Sequence, residues 1–321
     1  GYGRMGAIRH ESVEASGRAK VVAIADPQQD IPDGVRSCQS SEEILGDSAV
    51  NAVFICTPNH LNANLTKQAL QKGKHVFCEK PPALNADQIR EVMQIEMASG
   101  GLTLMYGFNH RHHDSMKKAK DLIASGQYGR LLWMRGRYGK SVDSSFYEGW
   151  RSKAELAGGG IMMDQGIHML DMMRLFAGEF TEIHSFISND FWQHDVEDNA
   201  YALMKTKDGV VAMLHSSATQ WRHMFQLSIN FSKGAINLSG ILTSTKSYAP
   251  ETITVVFANE DDEGDPKEQT TRYNKDNSWK EEIDEFANII LKKLSVKTGN
   301  IFDALKVMNM VEKIYRADKK K

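Results

Sequence analysis

Gly1-Tyr2-Gly3-Arg4-Met5-Gly6 opens the chain with the spacing G-x-G-x-x-G, and its reading decides the fold. The pattern alone is weak, because glycine-rich turns of other folds match it by chance. Its surroundings make it specific. Residues 7–16 read as a helix, and Val21-Val22-Ala23-Ile24-Ala25 as a buried strand ending at Asp26. Asp26 comes about 20 residues after Gly6, the offset at which a dinucleotide fold places the carboxylate for the adenosine ribose hydroxyls. Glycines there let the backbone approach a pyrophosphate at a helix N-terminus, where free N–H groups and the helix dipole favour anions. Such a fold needs a strand ahead of its first glycine. None precedes Gly1, so the expectation is that the natural chain carries one N-terminal to this sequence.

Asp26 also bears on which dinucleotide is bound. A carboxylate accepts from two ribose hydroxyls and repels a 2′-phosphate, and the following Pro27-Gln28-Gln29 brings no cation to neutralise one. NAD is therefore favoured over NADP.

The alternation of strand and helix continues outward. Ser41–Leu45 reads as a short helix and Ala52-Val53-Phe54-Ile55-Cys56 as a buried strand running into Thr57-Pro58-Asn59-His60. Polar groups at the carboxyl end of a parallel strand lie where open α/β sheets bind ligands; for His60 the bland alternative is a loop histidine at a helix start. Residues 61–72 read as helix. Lys74–Cys78 is then a strand ending in Glu79-Lys80-Pro81-Pro82, where proline stops the ladder and stiffens the exit. A solvated Glu–Lys surface pair is the plain reading of Glu79-Lys80 taken alone. Asn85 caps a helix over 85–98, and Leu102–Tyr106 is a strand leading into Gly107-Phe108-Asn109-His110-Arg111-His112-His113. Such alternation predicts a parallel sheet with right-handed crossovers.

The bulk numbers set bounds. A chain of 321 residues, 41% hydrophobic and 25% charged, is an ordinary globular composition long enough for two domains. A net charge of −2 gives no electrostatic footprint for nucleic acid or an anionic membrane surface, and no run approaches the roughly 18 apolar residues of a spanning helix. Cys38, Cys56 and Cys78 form no C-x-x-C pair; with Cys56 and Cys78 in strand-like runs, reduced thiols and a cytoplasmic setting follow.

After residue 115 the pattern changes. A helix over 115–125 and a strand over 130–138 precede a polar, aromatic loop at 139–157. Gly158-Gly159-Gly160 then opens Ile161-Met162-Met163-Asp164-Gln165-Gly166-Ile167-His168-Met169-Leu170-Asp171, an apolar helix with Asp164, His168 and Asp171 at i, i+4 and i+7 on one face. Three polar groups on a buried helix are costly unless paired or used; the bland reading is an Asp–His pair satisfied in the core. The remainder is strand-rich (181–190, 199–206, 209–218, 223–231, 234–240, 251–258 and 268–273), with a hairpin signal at Asp208-Gly209, an acidic hairpin tip from Glu260 to Gln269, helices at 279–294 and 301–317, and a closing lysine run. Contiguous strands joined by short turns predict a large, mainly antiparallel open sheet, one face covered by helices and the other by a partner subunit.

These motifs together resemble the Gfo/Idh/MocA family, the glucose–fructose oxidoreductase and inositol dehydrogenase group. The carriers are Gly1-x-Gly3-x-x-Gly6, Cys56-Thr57-Pro58-Asn59-His60, Glu79-Lys80-Pro81, Gly107-Phe108-Asn109 and Gly159 through Asp171. The resemblance implies an α/β Rossmann domain over 1–110, an α+β domain over 111–321 with the large open sheet, a last helix packing back on the first domain, and an active site between the two. Lys80, Asp164 and His168 match the family's catalytic positions. Cofactor contacts fall on Gly1, Gly3, Arg4, Met5 and Gly6, on Asp26, on Thr57, Pro58, Asn59 and His60, and on Glu79, Lys80 and Asn109. Substrate contacts fall on Lys80, Arg151, Asp164 and His168. His110 and His112 depart from the residues members often carry there.

The implied reaction is hydride transfer between NAD and a secondary alcohol of a sugar, cyclitol or sugar derivative, in a homodimer or homotetramer built through the C-terminal sheet. His168 is taken as the base that removes the hydroxyl proton, with Lys80 as electrostatic partner, although the sequence leaves the proton open between the two. Trp192 and Trp221 could stack on a sugar face or fill the core, and Arg151 and Arg222 could meet an anionic group or pair at the surface. Two rival classes stand beside this one. A non-catalytic NAD(H) sensor would not need the three catalytic positions. A metal-dependent lyase or hydrolase would draw on the histidines at 110–113, but three histidines in four loop residues, with no cysteine, make a poor tetrahedral set, so no metal is expected.

Overall fold

The computed structural model describes residues 1–243, 245–258 and 264–318. Part of the acidic stretch from Glu260 and the final lysine run therefore lie outside the described residues. The chain divides into two compact units: residues 1–109, 155–158 and 278–309 in one, and residues 110–154, 159–277 and 310–321 in the other.

In the first unit the order is α1 (Arg4–Ser16), β1 (Ala23–Ala25), β2 (Arg36–Cys38), α2 (Ser41–Gly46), β3 (Ala52–Ile55), α3 (Asn59–Gln71), β4 (His75–Glu79), α4 (Ala86–Ala98) and β5 (Leu104–Gly107). All pairs are parallel: β1 with β2, and β3–β4–β5 as a second sheet. Strands β3, β4 and β5 are mainly apolar because a parallel sheet is covered on both faces. Phe77 of β4 and Met105 of β5 pack with Phe286 and Ile289 of α8 (Ser278–Lys292), a later helix that returns to this unit and lies along α1. The Asn85 side chain accepts from the Gln88 amide at 2.9 Å and starts α4. β2 was not expected, since Arg36-Ser37-Cys38 is short and carries no apolar pattern.

The second unit centres on one sheet. Its strands are β6 (Leu131–Gly139), β7 (Phe180–Ser188), β8 (Asn199–Thr206), β9 (Val211–Ser217), β10 (Met224–Phe231), β11 (Gly234–Ser239), β12 (Glu251–Phe257) and β13 (Lys267–Tyr273), in the order β13-β12-β11-β10-β6-β9-β8-β7. Every pair is antiparallel except β6–β9, which is parallel, so the sheet is mixed. β6 enters the sheet centre before the excursion through α7 (Ile167–Ala177), β7 and β8, and that crossover produces the parallel pair. Helix α7 covers one face: Met169 and Met173 fill the space left by the missing side chain of Gly136 on β6. The other face carries Trp133, Phe186, Tyr201, Leu203 and Met213, all exposed. Register puts them together, with Met213 opposite Leu203 and Tyr201 opposite Phe186. The segment read as a loop at 139–157 contains three short helical turns, Ser144–Tyr147, Gly149–Ser152 and Ala154–Ala157. The last long helix, α9 (Ile301–Ala317), is divided, residues 301–309 grouping with the first unit and 310–317 with the second.

Candidate active site

The glycine turn of the first unit is built for close backbone approach. A Cβ on Gly1 would sit 2.5 Å from the Cys56 carbonyl oxygen, and one on Gly6 would sit 2.3 Å from that of Gly1. Gly3 differs: it precedes α1, has nothing within 4 Å of where a Cβ would be, and no side chain caps the helix. The amino end of α1, with Arg4 and Met5 in its first turn, thus stands behind an open glycine surface, which fits a dinucleotide's pyrophosphate. Asp26 ends the strand beside it. Its carboxylate accepts from the Tyr2 amide at 2.5 Å and the Gln28 amide at 2.9 Å. Burial acts to raise the Asp26 pKa, but these amides outweigh it and hold the carboxyl below its ordinary value. It is therefore an ionised acceptor braced against the glycine turn.

A cavity of about 700 Å³ lies behind the turn, between β1 and β3, lined mainly by apolar groups such as Ile24, Val53, Ile55 and Phe286. Among the described residues β1 pairs only with β2, and β3 only with β4. This apolar, strand-edged space does not match the polarity of a dinucleotide. The fit to that cofactor rests on the turn and Asp26.

Lys80 stands half-buried at the carboxyl end of β4, followed by a cis peptide to Pro81. Its neighbour Glu79 is buried and faces inward. The Glu79 carboxylate accepts from Arg9 Nε at 2.5 Å, and Arg9 Nη1 lies 2.7 Å from Glu282 Oε2 on α8. The Arg9 guanidinium also lies over the Phe77 and Trp279 rings, at 4.4 and 4.8 Å. Burial, opposed by Arg9, pushes the Glu282 carboxyl up to about 7. Glu79 thus ties the end of β4 to α1 and α8, its carboxylate turned inward to Arg9 rather than left open. Asn62 is equally buried. It accepts from Thr57 Oγ1 at 2.9 Å and donates to the Pro81 carbonyl at 2.9 Å, joining the Thr57–His60 turn to the proline turn. Asn59 donates to the Ala157 carbonyl at 2.8 Å, and Asn109 to Ser278 Oγ at 3.4 Å.

In the second unit, Asp164 and His168 arise from an irregular start to α7. Met162–Gly166 forms a wide π turn, so the regular i, i+4 spacing expected for Asp164 and His168 is loosened there. Glu197 shapes this entry. Its buried carboxylate accepts from the amides of Gly160 at 2.7 Å and Met162 at 2.9 Å, and from the Tyr315 hydroxyl at 2.9 Å. Gly160 has no room for a side chain, because a Cβ would lie 2.0 Å from the Glu197 carbonyl oxygen. Asp164 is partly exposed, with its Oδ2 3.4 Å from Lys140 Nζ. His168 is buried and stacks on His110, the ring centres 3.8 Å apart and the planes 15° apart. Asp171 does not join them: it takes a bidentate pair from Arg111, at 2.7 and 2.5 Å.

The His-rich segment disperses. His110 packs on His168 and shares a 3.1 Å hydrogen bond with the Tyr138 hydroxyl, while His113 is bonded to Glu251 at 3.0 Å. No group of three metal-ligating side chains is gathered among the described residues. Arg151 lies over Trp150, at 4.4 Å from the ring centre. Trp192 packs beside Tyr147 and donates its indole N–H to the Ala218 carbonyl at 3.0 Å, whereas Trp221 is 91% exposed. Sequence reasoning missed Arg9, Asn62, Lys140 and Glu197. Arg9 alone had a signal, as a charge in line with Gly6 and Val13 on the buried side of α1.

A family model described as "Oxidoreductase family, NAD-binding Rossmann fold" matches residues 1–108, and one described as "GFO/IDH/MocA C-terminal domain" matches residues 116–237. The chain is similar to levoglucosan dehydrogenase of Pseudarthrobacter phenanthrenivorans, with 32% identity over 176 residues covering 53% of this chain and 45% of that protein. It is similar to myo-inositol 2-dehydrogenase of Thermotoga maritima, with 25% identity over 231 residues covering 68% and 66%. The chain thus spans about half to two thirds of the length of these relatives. Among solved structures, levoglucosan dehydrogenase in complex with NADH and levoglucosan matches with a TM-score of 0.87 at 21% identity, covering 98% of this chain and 95% of that one; this shows a common fold. Two models of one family, matching consecutive stretches that include the glycine turn, the Glu79-Lys80-Pro81 strand end and the Asp164–His168 helix, give the conclusion that the chain belongs to the Gfo/Idh/MocA oxidoreductase family.

Proposed function

We propose that the protein is an NAD-dependent oxidoreductase that moves a hydride between the cofactor and a secondary alcohol of a sugar, cyclitol or related polyol. The observation that carries this reading is the Asp164–His168 pair, set by a π turn into an otherwise apolar helix, in a chain that also holds an open glycine cradle beside an ionised Asp26. Relatives named for sugar and cyclitol dehydrogenation support it.

The amino end of α1 with Gly1, Gly3 and Gly6 holds the pyrophosphate, and Asp26 takes the ribose hydroxyls, which favours NAD. Thr57, Pro58, Asn59, His60 and Asn109 complete the cofactor's surroundings. Bound NAD supplies the hydride acceptor. His168 takes the hydroxyl proton as the alcohol is oxidised, a contribution of roughly 10²–10⁴-fold. Lys80 stabilises the alkoxide character that develops on the same oxygen. Asp164 accepts a hydrogen bond from a neighbouring hydroxyl of the substrate, with Arg151 as a further substrate contact. The exposed sheet face of Trp133, Phe186, Tyr201, Leu203 and Met213 is the surface of a homodimer or homotetramer. Three free cysteines fit a cytoplasmic setting, and no helix among the described residues is long and apolar enough to cross a membrane.

The test is a screen of levoglucosan, D-xylose, myo-inositol and related polyols with NAD, following the absorbance of the reduced nicotinamide. Turnover is expected with at least one of them. Lys80→Met and His168→Ala are each expected to lose about 100-fold or more of kcat while NADH affinity stays within a few-fold. Tight NADH binding with no turnover on any polyol would identify a sensor instead.

A further inference from the structure

Helix α3 buries Asn59, Asn62, Ala63, Thr66, Ala69 and Leu70 along one side. Thr66 settles its hydroxyl within the helix, donating to the Asn62 carbonyl at 2.8 Å. The Asn62 side chain works differently. It is fully buried, where an amide costs free energy unless it is bonded, and it bonds to two segments outside the helix. Its Oδ1 accepts from Thr57 Oγ1 at 2.9 Å, and its Nδ2 donates to the Pro81 carbonyl at 2.9 Å and the Glu79 carbonyl at 3.5 Å. A leucine would fill similar space, so packing alone does not call for an amide here.

The two carbonyls flank Lys80. The sheet register ends just before it, with Cys78 opposite Ile55 on one side and Glu79 opposite Gly107 on the other. One amide group thus takes over where the ladder stops. The Glu79 contact is the longer of the two, but the Glu79 carboxylate is also held, by Arg9 Nε at 2.5 Å. On the far side the proline ring fixes φ of Pro81, and Asn62 holds its carbonyl. Few torsions remain by which the Lys80 backbone can turn, so the direction in which its half-buried side chain leaves the strand end depends on Asn62.

The acceptor end of the same amide reaches the cofactor turn. Thr57 follows Cys56 at the exit of β3, and its Cγ2 lies 3.3 Å from where a Cβ on Gly1 would stand. Asn62 therefore ties the lysine's strand end to a residue packed against the glycine turn.

We propose that Asn62 is a positioning residue: it holds Lys80 in register with the Thr57 turn, and acts on the reaction only through that lysine. The proposal rests on the oxidoreductase reading for what Lys80 does, and on contacts within the first unit for how Lys80 is held. Asn62 touches neither the proton nor the hydride.

The experiment compares wild type, Asn62→Leu, Lys80→Met and the double variant. It measures kcat with NAD on the polyol found in the screen, the NADH dissociation constant by fluorescence, and the rate at which a water-soluble acylating reagent labels Lys80, read by peptide mass against the exposed Lys118. Misplacing a reacting group by about 1 Å costs on the order of 100-fold, so Asn62→Leu is expected to lose roughly 10–100-fold of kcat while NADH affinity stays within about threefold. Once Lys80 is gone Asn62 has nothing left to position, so the double variant is expected to match Lys80→Met within about threefold. Labelling of Lys80 in Asn62→Leu is expected to rise at least about threefold relative to Lys118, as the released strand end turns outward. If Asn62→Leu does not fold, Asn62→Asp takes its place, since it keeps the acceptor for Thr57 and replaces the donor. An unchanged kcat, an unchanged labelling ratio, or losses that multiply in the double variant would overturn the proposal and leave the oxidoreductase reading standing. A labelling ratio that responds in a protein that turns over no polyol sinks that reading and keeps the clamp on Lys80; no turnover with unchanged labelling sinks both.

Discussion

Asp171 and His168 sit one turn apart on α7, and their surroundings give them different work. Asp171 is held by both arms of Arg111 in a buried pair, an arrangement whose partners cannot be removed singly without leaving charge in a low-dielectric interior. Asp171→Ala is therefore expected to lower stability by about 3–5 kcal/mol in urea unfolding. His168→Ala is expected to cost far less stability and most of the activity. Equal stability losses would mean that His168 too is a core residue. Asp26 makes a second residue-scale case. Its carboxylate is held ionised by the Tyr2 and Gln28 amides, so Asp26→Ala should weaken NAD binding and relax discrimination against NADP, read as the ratio of the two dissociation constants. A wild type with equal affinity for both would count against this role. Asp164 and His168 stood out in the sequence because each is polar inside an apolar stretch, whereas Glu79-Lys80 alone reads as a surface pair and Lys80 was picked out only by the family resemblance. Asn62 and Glu197 did not, and Arg9 did so only as a charge on the buried side of α1, because their roles depend on partners brought close only by folding: Arg9 meets Glu79 and Glu282, and Glu197 meets Gly160 and Tyr315.

Helix α5 (Asp114–Ala124) shows how one carboxylate can hold an element in place. Glu251, the first residue of β12, accepts from the Ser115 amide and hydroxyl at the start of that helix, from the Leu242 amide, and shares a 3.0 Å contact with His113. Burial alone would raise its pKa, but these partners outweigh burial and hold the carboxyl at about 2. A carboxyl depressed in the folded state adds stability above its unfolded value of about 4.3. That stability is lost as pH falls from about 5 toward 2. Glu251→Gln should flatten this acid limb in unfolding measured across that range; an unchanged limb would place the acid sensitivity elsewhere. The strand–helix alternation of the first unit was legible because apolar runs and caps are local signals. The π turn at Met162–Gly166 was not, since Glu197 and the tight packing of Gly160 impose it from a distance. Strand β2 was not, since three residues carry no period.

At the scale of the molecule, the mixed order of the large sheet was only partly legible. Hairpins follow from turns and alternation, but the parallel β6–β9 pair joins strands separated by α7, β7 and β8, and no local pattern encodes such a pairing. The sheet's exposed face, with Phe186, Tyr201, Leu203 and Met213 in register, is the basis for expecting an oligomer. Leu203→Glu, at an exposed position in that group, should shift the protein toward monomer in light scattering coupled to gel filtration; a wild type that is itself monomeric would remove the assignment. The central claim is that hydrogen moves from a polyol carbon to the cofactor. It is tested most directly by offering a substrate deuterated at its oxidised carbinol carbon and measuring the mass of the reduced nicotinamide. The account predicts one deuterium per reduced cofactor, with formation slowed about 100-fold or more in His168→Ala. Reduced cofactor without deuterium, or none formed from any polyol by a protein that binds NADH, would contradict it.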